Sequence, residues 1–359
     1  MVHRRTLPHL KWTLGLLFMV AGIIVSAQTA FADDDTWSTA PSKADAPIVF
    51  ETALAVDETG EPGEAGKAVA TALKQAMGNT PPKVVIVSEC FEDGEYKKEM
   101  LEGIYSVLPK QIVVGASSYG AFTQQGCDDF DTVSLLGIGG DGISVAASLV
   151  TEMGVSKLLL EEDEATIVKR LHVAGAKVAG KLRKTPEDRL MILIADAHSP
   201  KNQFLVEGAQ AAIGKKFPIT GGSANKNAGQ TFVYYGGQMH HDSAVALMLS
   251  GDFQVALAGR QAKEQDAVIS TAKSGAAEAA ANLKAKPLAL LAYDCGGRRS
   301  KLTNLADEVN AIRQVVGNDL PLFGAYCAGE IGPLDVSETS PDVLSGGGGW
   351  HVMFTLIGK

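Results

Sequence analysis

The chain has 359 residues, with 32 Lys and Arg against 41 Asp and Glu, 39 glycines and 6% aromatic residues. A net charge of −9 dispersed along the sequence argues against nucleic acid as a partner, since that binding rests on basic patches that neutralise phosphates. The length suits two or three compact units with sizeable cores, and the glycines point to many tight turns rather than a large aromatic pocket.

The first segment reads as an address. His3-Arg4-Arg5 and Lys11 form a basic start, residues 12–27 are mostly apolar, and Ala30-Phe31-Ala32 has the spacing of a cleavage site ahead of three aspartates. An apolar run of about 16 residues falls short of the ~20 a spanning helix needs. Residues 1–32 are therefore expected to be a signal peptide and the protein to be exported, periplasmic or secreted, without a stable membrane anchor after cleavage. Arg4-Arg5-Thr6-Leu7 also has something of a twin-arginine signal, although Pro8 departs from that pattern. Cleavage deletes Arg4, Arg5 and Lys11 but no acid, taking the formal charge from −9 to −12. Residues 33–47 read as a solvated linker, with ordered structure beginning at Ile48.

From there one pattern repeats three times. The first copy has a strand at 48–56 and a helix at 63–77 with Ala68, Ala72, Leu73 and Ala76 on one side. It continues with a strand at 83–88, a helix at 94–108, and a strand at 111–115 ending in Ala116-Ser117-Ser118. Strands at 132–137 and 143–150 flank a glycine turn and close it. The second copy has a helix at 163–182, a strand at 190–195, a helix at 202–213, Gly221-Gly222-Ser223, and strands at 231–235 and 243–249. The third has a strand at 254–258 and a helix carrying Val268, Ala272, Ala276 and Ala279 at helical spacing. A strand at 288–293 ending in Asp294-Cys295-Gly296-Gly297-Arg298-Arg299 follows. A helix with Leu302, Leu305, Val309, Ile312 and Val316 leads to Pro321-Leu322-Phe323, and a last strand spans 350–357. Gly115, Gly221 and Gly324 stand at matched strand ends. The expected architecture is α/β, with mixed β-sheets and flanking helices, built from three related β-α-β-α-β plus hairpin units.

Open α/β sheets bind ligands beyond the carboxyl ends of their strands. In the third unit that rim would gather Cys295, Arg298, Arg299, Tyr326, Cys327 and Glu330.

The pieces Gly221-Gly222-Ser223-Ala224, Thr231-Phe232-Val233-Tyr234 and His241-Asp242-Ser243-Ala244-Val245-Ala246-Leu247, with Cys295-Gly296-Gly297-Arg298 and Gly329-Glu330-Ile331-Gly332-Pro333, resemble the FIST family. The likeness runs over nearly all of the chain after residue 48. It implies a FIST N-terminal region at 48–253, made of two units, and a FIST C-terminal region at 254–359. It further implies a non-catalytic sensory domain for a small metabolite, an amino acid being one option, with haem reported for some members. The family is often fused to signalling modules; an exported stand-alone member would act through a separate signalling partner.

On this reading Arg298 takes a ligand carboxylate with its guanidinium fork, helped by Arg299, and Glu330 takes an ammonium from the opposite side. The alternatives are a surface basic pair bonded to Asp307 or Glu308, and a Glu330 that accepts backbone amides. Tyr326 and Cys295 would complete the contacts, with Ser117 and Ser223 joining by analogy between units. In an oxidising compartment the four cysteines are expected to pair as Cys295–Cys327 and Cys90–Cys127, with free thiols at the rim as the alternative. Scattered histidines and the lack of a Cys-x-x-Cys argue against zinc, and no metal or other cofactor is expected. A hydrolase using Ser117 with His198 or His240 is the enzymatic alternative, and haem on His240 or His241 the redox one. Gly137-Ile138-Gly139-Gly140-Asp141-Gly142 matches a dinucleotide fingerprint, but the residues after it read as a strand, so the match is taken as a hairpin turn. Residues 337–349 are Ser/Gly-rich, either a lid over the rim or a long loop.

Overall fold

A computed structural model describes residues 30–31, 35–128, 130–182, 184–338 and 340–359, the first two by backbone alone. The expected signal peptide thus lies almost wholly outside the described residues. No helix of the described residues is long and apolar enough to cross a membrane.

The fold is mixed α/β, with three mixed sheets that share the same four-strand core. In the first sheet Val49–Val56 lies antiparallel to Thr132–Gly139, which lies antiparallel to Pro82–Glu89, itself parallel to Val113–Ser117. Ile143–Val150, Ala244–Gly251, Asp188–Ala195 and Ile219–Ser223 repeat that order in the second. Gln254–Gln261, His351–Gly358, Pro287–Cys295 and Leu322–Cys327 repeat it in the third. One expectation is corrected here: strand 143–150 opens the second unit instead of closing the first. The glycine turn before it therefore joins two sheets, not two strands of one hairpin.

In every unit a short hairpin leaves home and extends a neighbouring sheet. Ala121–Thr123 and Gly126–Asp128 add to the third sheet, Val233–Tyr235 and Gln238–His240 to the first, and Glu330–Gly332 and Gly346–Gly348 to the second. The exchange is cyclic. A cut at the expected boundary, between residues 253 and 254, would part hairpins from the sheets they complete.

The matched glycines have a steric reason. Gly115 (φ 156°) and Gly221 (φ 148°) hold backbone that side chains avoid, and a Cβ on either would fall 2.1 Å from Val87 O or 1.8 Å from Leu193 O. A helix pair covers each sheet: Pro62–Met77 with Gly94–Tyr105, Leu160–Gly180 with Asn202–Ile213, and Gln265–Asn282 with Leu305–Val316. Asp93 caps the second of these through the amides of Glu95 and Tyr96, and Asn304 caps the last through Ala306 N, so that helix starts three residues after Leu302. On Pro62–Met77 the buried face is Ala65, Val69, Ala70, Leu73 and Met77; Ala68, Ala72 and Ala76 face solvent, against expectation.

Where the sheets face one another, Ile86, Val114, Leu136, Ile192, Leu247, Leu291 and Phe323 form a common core, and three further cores lie beneath the helix pairs. Trp37 belongs to the common core. It sits on the strand Thr36–Ser38, which pairs with Ile143–Val150. The 33–47 segment is therefore not simply a solvated linker, because ordered structure reaches back at least to this strand. Residues 345–348, in the Ser/Gly-rich stretch, are likewise stitched down. Ser345 Oγ donates to Ile219 O (2.8 Å), Gln210 Nε2 donates to Ser345 O (2.6 Å), and Gly346–Gly348 is a strand.

Candidate functional site

The three parallel strand pairs end together, and one backbone motif joins them in a ring. Ser117, Ser223 and Tyr326 each stand two residues beyond Gly115, Gly221 and Gly324. Ser117 N donates to Phe232 O (3.1 Å) while its carbonyl accepts from Asn225 N (2.8 Å). Ser223 does the same with Gly329 O (2.8 Å) and Ala328 N (3.1 Å), and Tyr326 with Gly120 O (3.0 Å) and Tyr119 N (2.7 Å). Each unit's strand end is thereby tied to the segment that crosses from the next.

The serine side chains belong to this ring. Ser117 Oγ donates to Asn225 O (2.8 Å) and accepts from Phe232 N (3.2 Å); Ser223 Oγ donates to Ala197 O (2.7 Å). Both residues are buried, so they shape the rim and do not face a ligand. Neither His198 nor His240 is hydrogen-bonded to Ser117. His240 Nε2 and His241 Nδ1 donate to carbonyls of their own hairpin region, Tyr235 O (3.4 Å) and Thr231 O (2.7 Å).

The expected clamp of Arg298 and Glu330 is overturned. Arg298 is fully buried, its Nε 2.8 Å from Asp294 Oδ1 and its Nη2 2.7 Å from Glu308 Oε1. Val268 O and Thr271 Oγ1 take further N–H groups, each at 3.1 Å. Every direction in which the fork could reach a ligand is already occupied by protein. Tyr326 OH donates to Glu308 Oε2 (3.1 Å), which commits Tyr326 to the same cluster. Two carboxyls and one guanidinium leave an excess negative charge in a dry site, so burial and then Asp294 push Glu308 well above the ordinary carboxylate range. Asp294 Oδ2 finds no donor among the described residues unless Glu308 carries a proton. Arg299 lies over the Tyr119 ring (4.3 Å), with Phe130 and Tyr326 nearby (5.5 and 6.0 Å), a structural cation–π setting.

Glu330 is also buried. Its Oε2 accepts from His351 N (3.0 Å), and the Cys295 thiol lies beside its carboxyl. Cys295 Sγ accepts from Gly297 N (3.3 Å), and its register partner on the parallel strand is Cys327. All four cysteines are free thiols in this structure. Cys90 follows a first-sheet strand, whereas Cys127 sits on the hairpin that joins the third. Burial, then the Glu330 charge, push the Cys295 thiol up to about 12. Among the described residues no group of three or more His, Cys, Asp and Glu is placed to hold a metal ion.

Outside the ring lies an open cleft of about 500 Å³. Cys295 and Cys327, largely buried, mark its inner end. Tyr119, Ser199, Asn225, Lys226 and Trp350 line it further out, and Lys226 is the one charged side chain among the described lining residues. Trp350 has φ 67°, a left-handed conformation that costs a bulky residue of order 1–3 kcal/mol. Its indole rests on Gly297, where a Cβ would come within 3.2 Å of ring carbons. The ammonium groups of Lys263 and Lys301 stand 5.9 and 5.7 Å from the indole centroid. Of the expected contacts only Cys295 lines this cleft. Sequence reasoning missed Tyr119, Ser199, Asn225, Lys226 and Trp350; a tryptophan directly after a run of four glycines was the available signal.

The FIST N domain matches residues 83–275 and the FIST C domain matches residues 239–333. No curated protein matches the chain. Among solved structures, a cyanuric acid hydrolase described as an innovation by structural concatenation is 10% identical, covering 87% of this chain and 99% of its own, with a TM-score of 0.41. The cyanuric acid hydrolase of A. caulinodans is 9% identical over 87% and 100%, with a TM-score of 0.42. PurLQS of Thermotoga maritima is 10% identical over 93% and 74%, with a TM-score of 0.29.

Proposed function

The chain belongs to the FIST family, and on that premise we propose that it is an exported, non-catalytic sensor of a small carboxylate-bearing metabolite, an amino acid among the candidates, that acts through a separate signalling partner. FIST domains are sensory domains that bind small ligands. The observation that carries the reading is the cleft beyond the strand ends, where segments of all three units meet. In a protein of net charge −9, the charge lining it is the cation Lys226. A carboxylate would pair with that ammonium, and the faces of Tyr119 and Trp350 offer apolar surface to the rest of the molecule. Held strain at Trp350 fits a position fixed for recognition rather than for packing alone. The basic start, apolar run and Ala30-Phe31-Ala32 support export.

Thermal unfolding of the purified protein against amino acids and other small carboxylates tests the proposal. At ~100 times its dissociation constant a true ligand adds ~2.7 kcal/mol of stability. Absence of any upward shift across such a panel would remove the reading.

A further inference from the structure

Cys295 and Cys327 are paired across neighbouring parallel strands, and both line the inner end of the cleft. Residues in register on adjacent strands point to the same face, and such strands lie ~4.8 Å apart, within the ~4.4–6.8 Å between Cα atoms that a disulfide spans. The two thiols are therefore free and adjacent, both buried at the inner end of the same cleft. Cys295 is the more accessible, 9% against 5% exposed. Cys327 lies deeper, its Sγ 3.5 Å from Ala325 O. Glu330 lies beside both, and its Oε1 has no hydrogen-bond partner among the described residues.

We infer that Cys295 and Cys327 are a thiol–disulfide exchange pair, and that the molecule they meet is a small disulfide bearing carboxylates. The inference rests on the cleft being the ligand site and narrows the ligand class. Lys226 would hold a carboxylate while the disulfide reaches inward. Cys295, as its thiolate, attacks one sulfur of the small disulfide; that S–S bond breaks and the first half departs as a thiolate that takes up the proton. Cys327, as its thiolate, then attacks Sγ of Cys295, an intramolecular S–S bond forms, and the second half departs as a thiol. The protein loses two protons and two electrons, and the small disulfide gains them. With burial and Glu330 keeping the thiols protonated, the exchange is slow at neutral pH and quickens as pH rises.

The test uses the reduced full chain with dithiodipropionate and oxidised glutathione, which are anionic, and with 2-hydroxyethyl disulfide, which is uncharged. After acid quenching, intact mass and peptide mapping are expected to show loss of two hydrogens and a Cys295–Cys327 link. Cys327→Ser is expected to accumulate a mixed disulfide on Cys295. At low ionic strength the anionic probes should react about tenfold faster than the uncharged one, an advantage lost in Lys226→Ala. Wild-type thiols at both positions that remain alkylatable after incubation, or adducts spread equally over Cys90 and Cys127, would overturn the pair. Equal rates for charged and uncharged probes would overturn the substrate class. If disulfide-free carboxylates bind through Lys226 while the thiols stay inert, the exchange inference fails and the sensor reading stands.

Discussion

Glu89 and Asp294 hold the same register position in two sheets, Glu89 opposite Ser117 and Asp294 opposite Tyr326 on the parallel partner strand. Each is fully buried and each meets a cation from the segment that follows, Lys97 at 3.0 Å and Arg298 at 2.8 Å. A tyrosine joins both clusters: Tyr234 OH donates to Glu89 (2.5 Å) and Tyr326 OH to Glu308 (3.1 Å). The second unit places Ala195 there instead. Two of the three strand ends in the ring are thus anchored by buried ion clusters, so Lys97 and Arg298 serve the scaffold.

Lys97→Met should accordingly unfold the protein easily. It leaves Glu89 without its cation in a dry site, where removing one partner of a buried pair costs about 3–5 kcal/mol. Among the described residues Glu89 then retains only Phe91 N and Tyr234 OH as donors. Urea unfolding of the single variant and of Glu89→Gln/Lys97→Met would check it. The double variant should recover part of the loss, and a single variant as stable as wild type would refute the assignment.

Glu308→Gln tests the proton in the Arg298 cluster. A carboxyl whose folded pKa is raised contributes stability below its unfolded pKa, and that contribution is lost as pH climbs through the folded value. Gln keeps a neutral group in place at every pH. The stability of the variant relative to wild type should therefore improve as pH rises above the ordinary carboxylate range, by up to about 1.4 kcal/mol per pH unit where the unfolded carboxyl is ionised and the folded one still protonated. Parallel curves across that range would mean that Glu308 ionises freely.

The three-unit plan was legible in the sequence because steric need leaves a trace: a glycine at 115 and 221 where no Cβ fits against the neighbouring strand, and one at 324 where the Phe122 ring lies. The hairpin exchange left no such trace. Ala121–Thr123 and Glu330–Gly332 are three residues long, and nothing local says which sheet they complete. The fate of Arg298 was half visible, since Glu308 stood among its possible partners while Asp294, four residues earlier, was read as part of the polar rim. Lys226 and Trp350 were passed over because a lone lysine and a tryptophan after glycines gain meaning only when the crossing segments bring them to one cleft.

Trp37→Ala probes the N-terminal strand. Trp37 is 4% exposed and packs in the core shared by all three sheets, whereas a solvated linker would tolerate the change. Truncating a buried tryptophan costs about 3–5 kcal/mol. A fragment starting at Ile48 should show a similar loss, read as a lower midpoint in chemical denaturation.

Ligand binding separates Lys226 from Arg298. For any carboxylate that stabilises the protein, Lys226→Ala should weaken binding about tenfold or more at unchanged basal stability, because the side chain is exposed and carries the cleft's charge. Arg298→Lys should do the reverse: it loses the forked contacts to Asp294 and Glu308 and lowers the unfolding midpoint, while the folded fraction binds normally. Calorimetric titration of both variants distinguishes the two roles.

Glu330→Gln should unmask the Cys295 thiol. Burial is the larger cause of its pKa of about 12, and the Glu330 charge is the next. Gln keeps an oxygen to accept from His351 N and removes that charge. The pKa of Cys295 should fall and its thiolate fraction at pH 9 should rise, so labelling by iodoacetamide should quicken severalfold here, with Cys327, which senses the same carboxyl, moving the same way. Cys90 serves as the internal reference, since burial is the first cause of its raised pKa and Glu330 is not among the causes. A rate at Cys295 that stays at the wild-type value, or that changes in step with Cys90, would show that the carboxyl and the thiol do not sense each other.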